Sequence, residues 1–208
     1  MAKPDRAMVE VGRRGLAAWL AAGAPGPFMV PRGRDCCAEI DAIFWPTRAS
    51  RLMMLWRYLM VSLGDLAPSC ALKTFCYRRA GTRIGADVCI SPGVILDPLF
   101  PQMIELREGS CLGMGARLIA HEYTAASFRI GLIRIGPGAV VGAFSTVRSA
   151  VTVGERATVG FNSYVNRDVA PLDVVGGVPA RSVRSEVEAA GPGAGCGPSS
   201  PGPQGEVR

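Results

Sequence analysis

A chain of 208 residues can bury one sizeable core, and its 49% apolar against 19% charged residues is a globular composition. Aromatics at 7% beside 26 glycines favour a repetitive β fold over an aromatic-rich core. The net charge of +6 comes without a basic run, which leaves nucleic-acid binding without support and suits a small polyanionic ligand.

In chain order, residues 1–34 are rich in Ala, Gly, Pro and Arg and show no sustained period, so a poorly ordered arm with at most one short helix is expected. Gly15 to Ala24 after Arg13 and Arg14 has the look of a secretory core, but Asp5 and Glu10 upstream argue against export. Residues 35–83 form a helical segment in which Leu52, Leu55, Leu59 and Leu63, with Trp56 and Met60, recur at helical spacing. That amphipathic helix is expected to pack on the main body or cap its open end, with a membrane-surface or partner helix as the alternative. Arg57 interrupts its apolar run, which is too short to span a bilayer, so stable membrane insertion is not expected. Residues 185–208 read as a disordered Gly/Pro-rich tail. The seven cysteines form no C-x-x-C pair and their odd number argues against a disulfide framework, which implies reduced thiols and a cytoplasmic location.

Between Ile84 and Arg184 aliphatic residues recur at every sixth position in three stretches: Ile84, Ile90 and Leu96; Leu106, Leu112 and Leu118; and Ile135, Val141, Val147, Val153, Val159 and Val165. Six is a multiple of the strand period of two, so each of these and the small residue four later (Ser110, Ala116, Ala139, Ser145, Ala157, Ser163) point to one side. Asp87, Gly93, Gly109, Gly115, Gly138, Asn162 and Asp168, each three after an aliphatic position, are turn formers and the expected corners. Three such sides close a coil of about 18 residues, and coils stacked about 4.8 Å apart make a parallel β-helix. Insertions near 97–105 and 122–134 interrupt the rhythm, and loops borne on a rigid solenoid are where chemistry is expected.

Four stretches carry a resemblance to a known family: SPGVILDP from Ser91, HEYT from His121, IGPGAVVGAFSTV from Ile135, and VNRDVAPLDVVGGVPARSVR from Val165. Over 84–184 the chain resembles the left-handed parallel β-helix acyltransferases built from hexapeptide repeats, most closely the maltose and galactoside O-acetyltransferase type. The resemblance implies acetyl-CoA as acyl donor, a small-molecule acceptor, and a homotrimer with an active site in each groove between neighbouring β-helices. A left-handed sense of winding comes from the resemblance alone.

His121 is the only histidine in the chain and falls three after Leu118, where the repeat gives way to a loop. Acyl transfer needs a base for the attacking hydroxyl or amine, imidazole is matched to that work near neutral pH, and the resemblance aligns His121 with the family's base. Glu122 is a candidate to orient the ring or bind acceptor, although adjacent residues often point apart. Asp97 matches an acceptor-contacting carboxylate of the galactoside type, with a plain turn before Pro98 as the equal alternative, and Tyr123 is expected to line the same site. For coenzyme A the family positions fall on Ala143, Phe161, Asn166, Arg167, Pro179, Arg181 and Arg184, with Arg167 and Arg184 as phosphate ligands. Phe161 and Ala150 depart from the small residue and the Gly usual at their positions. Cys111, ten before His121, suggests a Cys/His pair, but its place inside a regular coil favours packing. No metal is expected, since the β-helix carbonic anhydrases need three histidine ligands. The competing reading is a non-catalytic trimeric β-helix that binds or scaffolds a partner.

Overall fold

The computed structural model describes residues 6–22, 26–31, 42–45, 47–123 and 127–183. Helix α1 (Arg6–Ala21) is followed by strand β1 (Phe28–Pro31), helix α2 (Arg48–Leu66) and helix α3 (Cys70–Ala80). The first coil carries β2 (Arg83–Ile84), β3 (Cys89–Ile90) and β4 (Ile95–Leu96), and a 3-10 turn at Pro101–Met103 leads to the second, with β5 (Ile104–Leu106), β6 (Cys111–Leu112) and β7 (Arg117–Leu118). A hairpin of β8 (His121–Tyr123) and β9 (Ser127–Ile130) then leaves the solenoid. The third coil has β10 (Ile133–Ile135), β11 (Val140–Val141) and β12 (Thr146–Val147), and the fourth β13 (Thr152–Val153), β14 (Thr158–Val159) and β15 (Tyr164–Val165). Val169 bridges Val153, after which β16 (Val174–Gly176) and β17 (Arg181–Ser182) close the stack.

The hexad rhythm is realised as three parallel sheets. Ile84, Leu106, Ile135 and Val153 are register partners along side one. Ile90, Leu112, Val141 and Val159 stack along side two, and Leu96, Leu118, Val147 and Val165 along side three. Eleven of these twelve side chains are at most 2% exposed, Ile84 being the half-buried exception at the end of the stack. Each such burial contributes about 1.5–3 kcal/mol of transfer free energy. Ser110, Ala116, Ala139, Ser145, Ala157 and Ser163 are buried beside them, because a prism this narrow has room for only one large side chain per side.

Left-handed corners fall three residues after nine of the twelve aliphatic positions, the exceptions following Leu96, Leu118 and Val165. Asp87, Gly93, Gly109, Gly115, Gly138 and Asn162 take a left-handed backbone there, with φ between 52° and 70°. Phe144, Ala150 and Arg156 do so as well, at 54° to 59°, although none is a turn former. Asp168 departs from the expectation: it is absent from the left-handed corners and instead accepts the Thr152 N–H through Oδ1 at 2.7 Å.

Two helices cover the N-terminal end of the stack. Thr47 and Ser50 form a reciprocal capping box on α2, and Ser69 Oγ caps α3 by accepting from Leu72 N at 3.2 Å. Arg78 of α3 donates to the carbonyls of Ile84 (3.0 Å) and Gly85 (2.8 Å), and Cys70 Sγ accepts from Ile90 N at 3.3 Å, so α3 is tied to the first coil. Tyr77, fully buried under Gly64, donates to Asp65 Oδ1 at 2.7 Å, while buried Lys73 donates to the last carbonyls of α2.

The arm read as poorly ordered contains a 16-residue helix and a strand. Strand β1 pairs antiparallel with β9, Phe28 opposite Ile130, so the arm backs the hairpin that bears His121.

Candidate active site

His121 opens β8 and sits opposite Ile130 of β9. Leu96 and Leu118 are register partners, which brings the segments after them, with Asp97 and His121, to the same corner in successive coils. Asp97 is fully buried, and both its oxygens are taken by donors. Oδ1 accepts from the N–H groups of Leu99 (3.0 Å) and Phe100 (3.1 Å). Oδ2 accepts from the N–H groups of Ala120 (2.9 Å) and His121 (3.0 Å) and from His121 Nδ1 at 2.5 Å. A carboxylate opposite Nδ1 puts the ring proton there and leaves Nε2 as the basic nitrogen. The imidazole is 18% exposed.

An aromatic wall holds the ring. Phe100 (5.4 Å), Phe128 (5.9 Å) and Tyr123 (5.8 Å, edge-on) surround it. Behind them Phe44 and Trp45, from a helical turn at 42–44 and the residue after it, pack on Phe100 at 5.1 and 5.4 Å. The turn role weighed for Asp97 is visible in its two Oδ1 bonds. Its carboxylate has no exposed surface and accepts from five protein donors, so contact with an acceptor would have to replace one of them.

Glu122 also departs from its reading as ring orienter. Successive strand residues face opposite sides, and its carboxylate accepts from Arg148 Nε at 2.8 Å to both oxygens and from Ser149 Oγ, with Arg129 Nε 3.8 Å away. These contacts fix the hairpin to the third coil. Tyr123 stands 53% exposed at the edge of the imidazole.

The other site positions fall on two edges of the prism. Asn166 and Arg167 follow β15 and share the edge between sides three and one with His121 and Glu122. Ala143, Phe161 and Pro179 follow side-two strands and lie on the edge between sides two and three, where Asn162 N donates to Ala143 O at 2.9 Å. Phe161 is 79% exposed, and Arg181 is an exposed residue of β17. Arg184 lies outside the described residues. Asn166 Oδ1 is buried with no partner among the described residues.

Cys111 lies on side two, its register partner Cys89. Burial, then the hydrogen bond with the Cys89 thiol, pushes its pKa up, opposite to what a nucleophilic thiolate requires.

Residues 133–167 match a family model described as bacterial transferase hexapeptide (six repeats). YvoF of Bacillus subtilis (strain 168), provisionally named an acetyltransferase, is 27% identical over 138 residues, 66% of this chain and 80% of its own. Among solved structures, a hexapeptide-repeat containing acetyltransferase of Vibrio cholerae superposes with a TM-score of 0.52 at 18% identity, over 66% of this chain and 93% of that one. A maltose O-acetyltransferase of Clostridium difficile 630 gives 0.51 at 13% identity over 64% and 87%. A galactoside acetyltransferase in complex with coenzyme A gives 0.55 at 16% identity over 66% and 82%. At these identities the structural likeness is one of fold.

Proposed function

We propose that the chain, which matches a hexapeptide-repeat model over residues 133–167 and has the fold of the hexapeptide-repeat acetyltransferases, is a coenzyme A dependent acyltransferase. The acyl group in this reading is acetyl, and the acceptor is a hydroxyl or amine of a small molecule, a sugar hydroxyl first. The observation that carries the proposal is the sole imidazole, walled by aromatic rings and fixed by a fully buried carboxylate on Nδ1. The name of the relative from Bacillus subtilis supports the reaction class, and the galactoside enzyme bound to coenzyme A supports the donor.

His121 Nε2 accepts the proton of the acceptor as its oxygen or nitrogen attacks the acyl carbon, and the ring then returns it toward the departing sulfur. Asp97 stabilises the imidazolium and keeps the tautomer. When bound, acetyl-CoA would supply an acyl carbon activated as a thioester, with the coenzyme A thiol as the leaving group. Asn166 Oδ1, without a partner among the described residues, fits an amide N–H of its pantetheine arm, and Arg167, Arg181 and Arg184 suit its phosphates. The protein works as a homotrimer, because the proposed residues divide between two edges separated by the width of side three, up to about 20 Å for six extended residues. Threefold packing sets one edge of a chain against the other edge of its neighbour.

The test is thiol release from acetyl-CoA against a panel of sugar, amino-sugar and amine acceptors. Acceptor-dependent release supports the reading. Coenzyme A that neither binds nor turns over with any acceptor supports the non-catalytic β-helix instead.

A further inference from the structure

We propose that the exposed face of α2 docks on an anionic lipid surface. Leu52, Leu55, Trp56, Leu59, Leu63 and Leu66 recur at three- and four-residue steps and are 45% to 83% exposed. The side that α2 buries is carried by Met60, Val61 and Gly64. The most apolar stripe of the helix, which a globular protein ordinarily hides, therefore points outward along about 21 Å. Leu72 and Phe75 on α3 are exposed too. The Trp56 indole donates to Arg79 O at 3.3 Å, and the Arg79 guanidinium lies 5.3 Å from the Phe75 ring, which joins the two helices into one surface.

Charge selects the partner. Residues 47–80 hold Arg48, Arg51, Arg57, Lys73, Arg78 and Arg79 against one acid, Asp65, which is already bonded to Tyr77. Arg48, Arg51, Arg78 and Arg79 are exposed. A second copy meeting this face would bring like charges together, whereas anionic headgroups neutralise them while leucine and tryptophan enter the acyl boundary. None of the described helices is long and apolar enough to cross a membrane, and the contact proposed is with its surface. This inference stands on α2 and α3 and does not depend on acyl transfer.

The experiment is co-sedimentation of the full chain with phosphatidylcholine vesicles, with and without phosphatidylglycerol, alongside tryptophan emission. Trp19 and Trp45 are 9% and 7% exposed against 45% for Trp56, so a blue shift that disappears in Trp56→Phe reports this face. Binding is expected to phosphatidylglycerol vesicles, and to weaken on the order of tenfold or more on pure phosphatidylcholine, in high salt, or in Arg48→Glu with Arg79→Glu. Leu55→Ser with Leu59→Ser should abolish it while the circular dichroism spectrum and thermal midpoint are retained. No binding to phosphatidylglycerol vesicles, or binding indifferent to the leucine pair, overturns the proposal. So does a lipid-free oligomer that dissociates in the leucine variant, since the face is then an interface between copies.

Discussion

Asp97 answers to four backbone N–H groups and one imidazole, so an amide in its place must set a donor against donors. Asp97→Asn is expected to lower stability by about 1–3 kcal/mol and turnover by about a hundredfold or more as the tautomer is lost. Nitrogen NMR separates the two effects, because the sole histidine gives one pair of ring signals: the proton belongs on Nδ1 in the parent and redistributes in the variant. Glu122→Gln should instead lower the thermal midpoint and leave the acceptor KM within about twofold, since its contacts run to Arg148 and Ser149. Asp65 supplies a pH prediction. Burial raises its pKa, ahead of the opposing effects of Tyr77 and Lys73. A raised acid contributes stability that is full below the unfolded value near 3.8 and is lost as pH rises through the folded value. Asp65→Asn, whose oxygen can still accept from Tyr77, should remove that loss and flatten the stability profile above pH 4, as urea titrations at several pH values would show. His121 was legible because it is the only imidazole and stands at a corner. Its partner follows from the same pattern, because residues one after Leu96 and three after Leu118 are neighbours in successive coils. That Glu122 can point away from the ring was legible from its adjacency to His121, but its partners Arg148 and Ser149 were not, because the hexad pattern does not say that the loop begins as a strand.

The hexad elements were the readable part of the fold, since each inward aliphatic repeats a burial that no other spacing satisfies. The glycine that follows many of them has a reason the sequence shows only as a preference: a Cβ on Gly142 would come within 2.6 Å of Val159 O, backbone against backbone. Gly142→Ala is expected to cost about 1–3 kcal/mol of stability by overpacking, measured by urea unfolding. Corners were read from turn formers, and that signal fails at Phe144, Ala150 and Arg156, which take a left-handed backbone as ordinary residues; the N–H groups of Phe144 and Arg156 donate to Met114 O and Pro137 O of the preceding coil. Helix α2 was legible from its period, but its orientation was not. A stripe of leucines was expected to seek the body of the protein, whereas Tyr77 and Lys73 of α3 take the Gly64 side and leave the leucines outside. Strand β1 was missed altogether, because its four residues, Phe28–Pro31, gain their order from pairing with β9, about a hundred positions away.

The described residues build a prism that carries one hairpin and is covered at one end by helices, and the proposed site residues divide between two of its edges, so the proposed function calls for an assembly. Mixing His121→Ala chains with Ala143→Trp chains, each inactive alone, should restore activity at on the order of a quarter of the sites in random trimers; no recovery would place the whole site on one chain. The most direct test of the central claim, that the imidazole held by Asp97 is the base for acyl transfer, is the turnover of His121→Ala with acetyl-CoA and its best acceptor, coenzyme A affinity being measured alongside. The account predicts a fall of about a hundred- to ten-thousandfold with donor affinity and oligomeric state retained. Turnover within a few fold of the parent would contradict it.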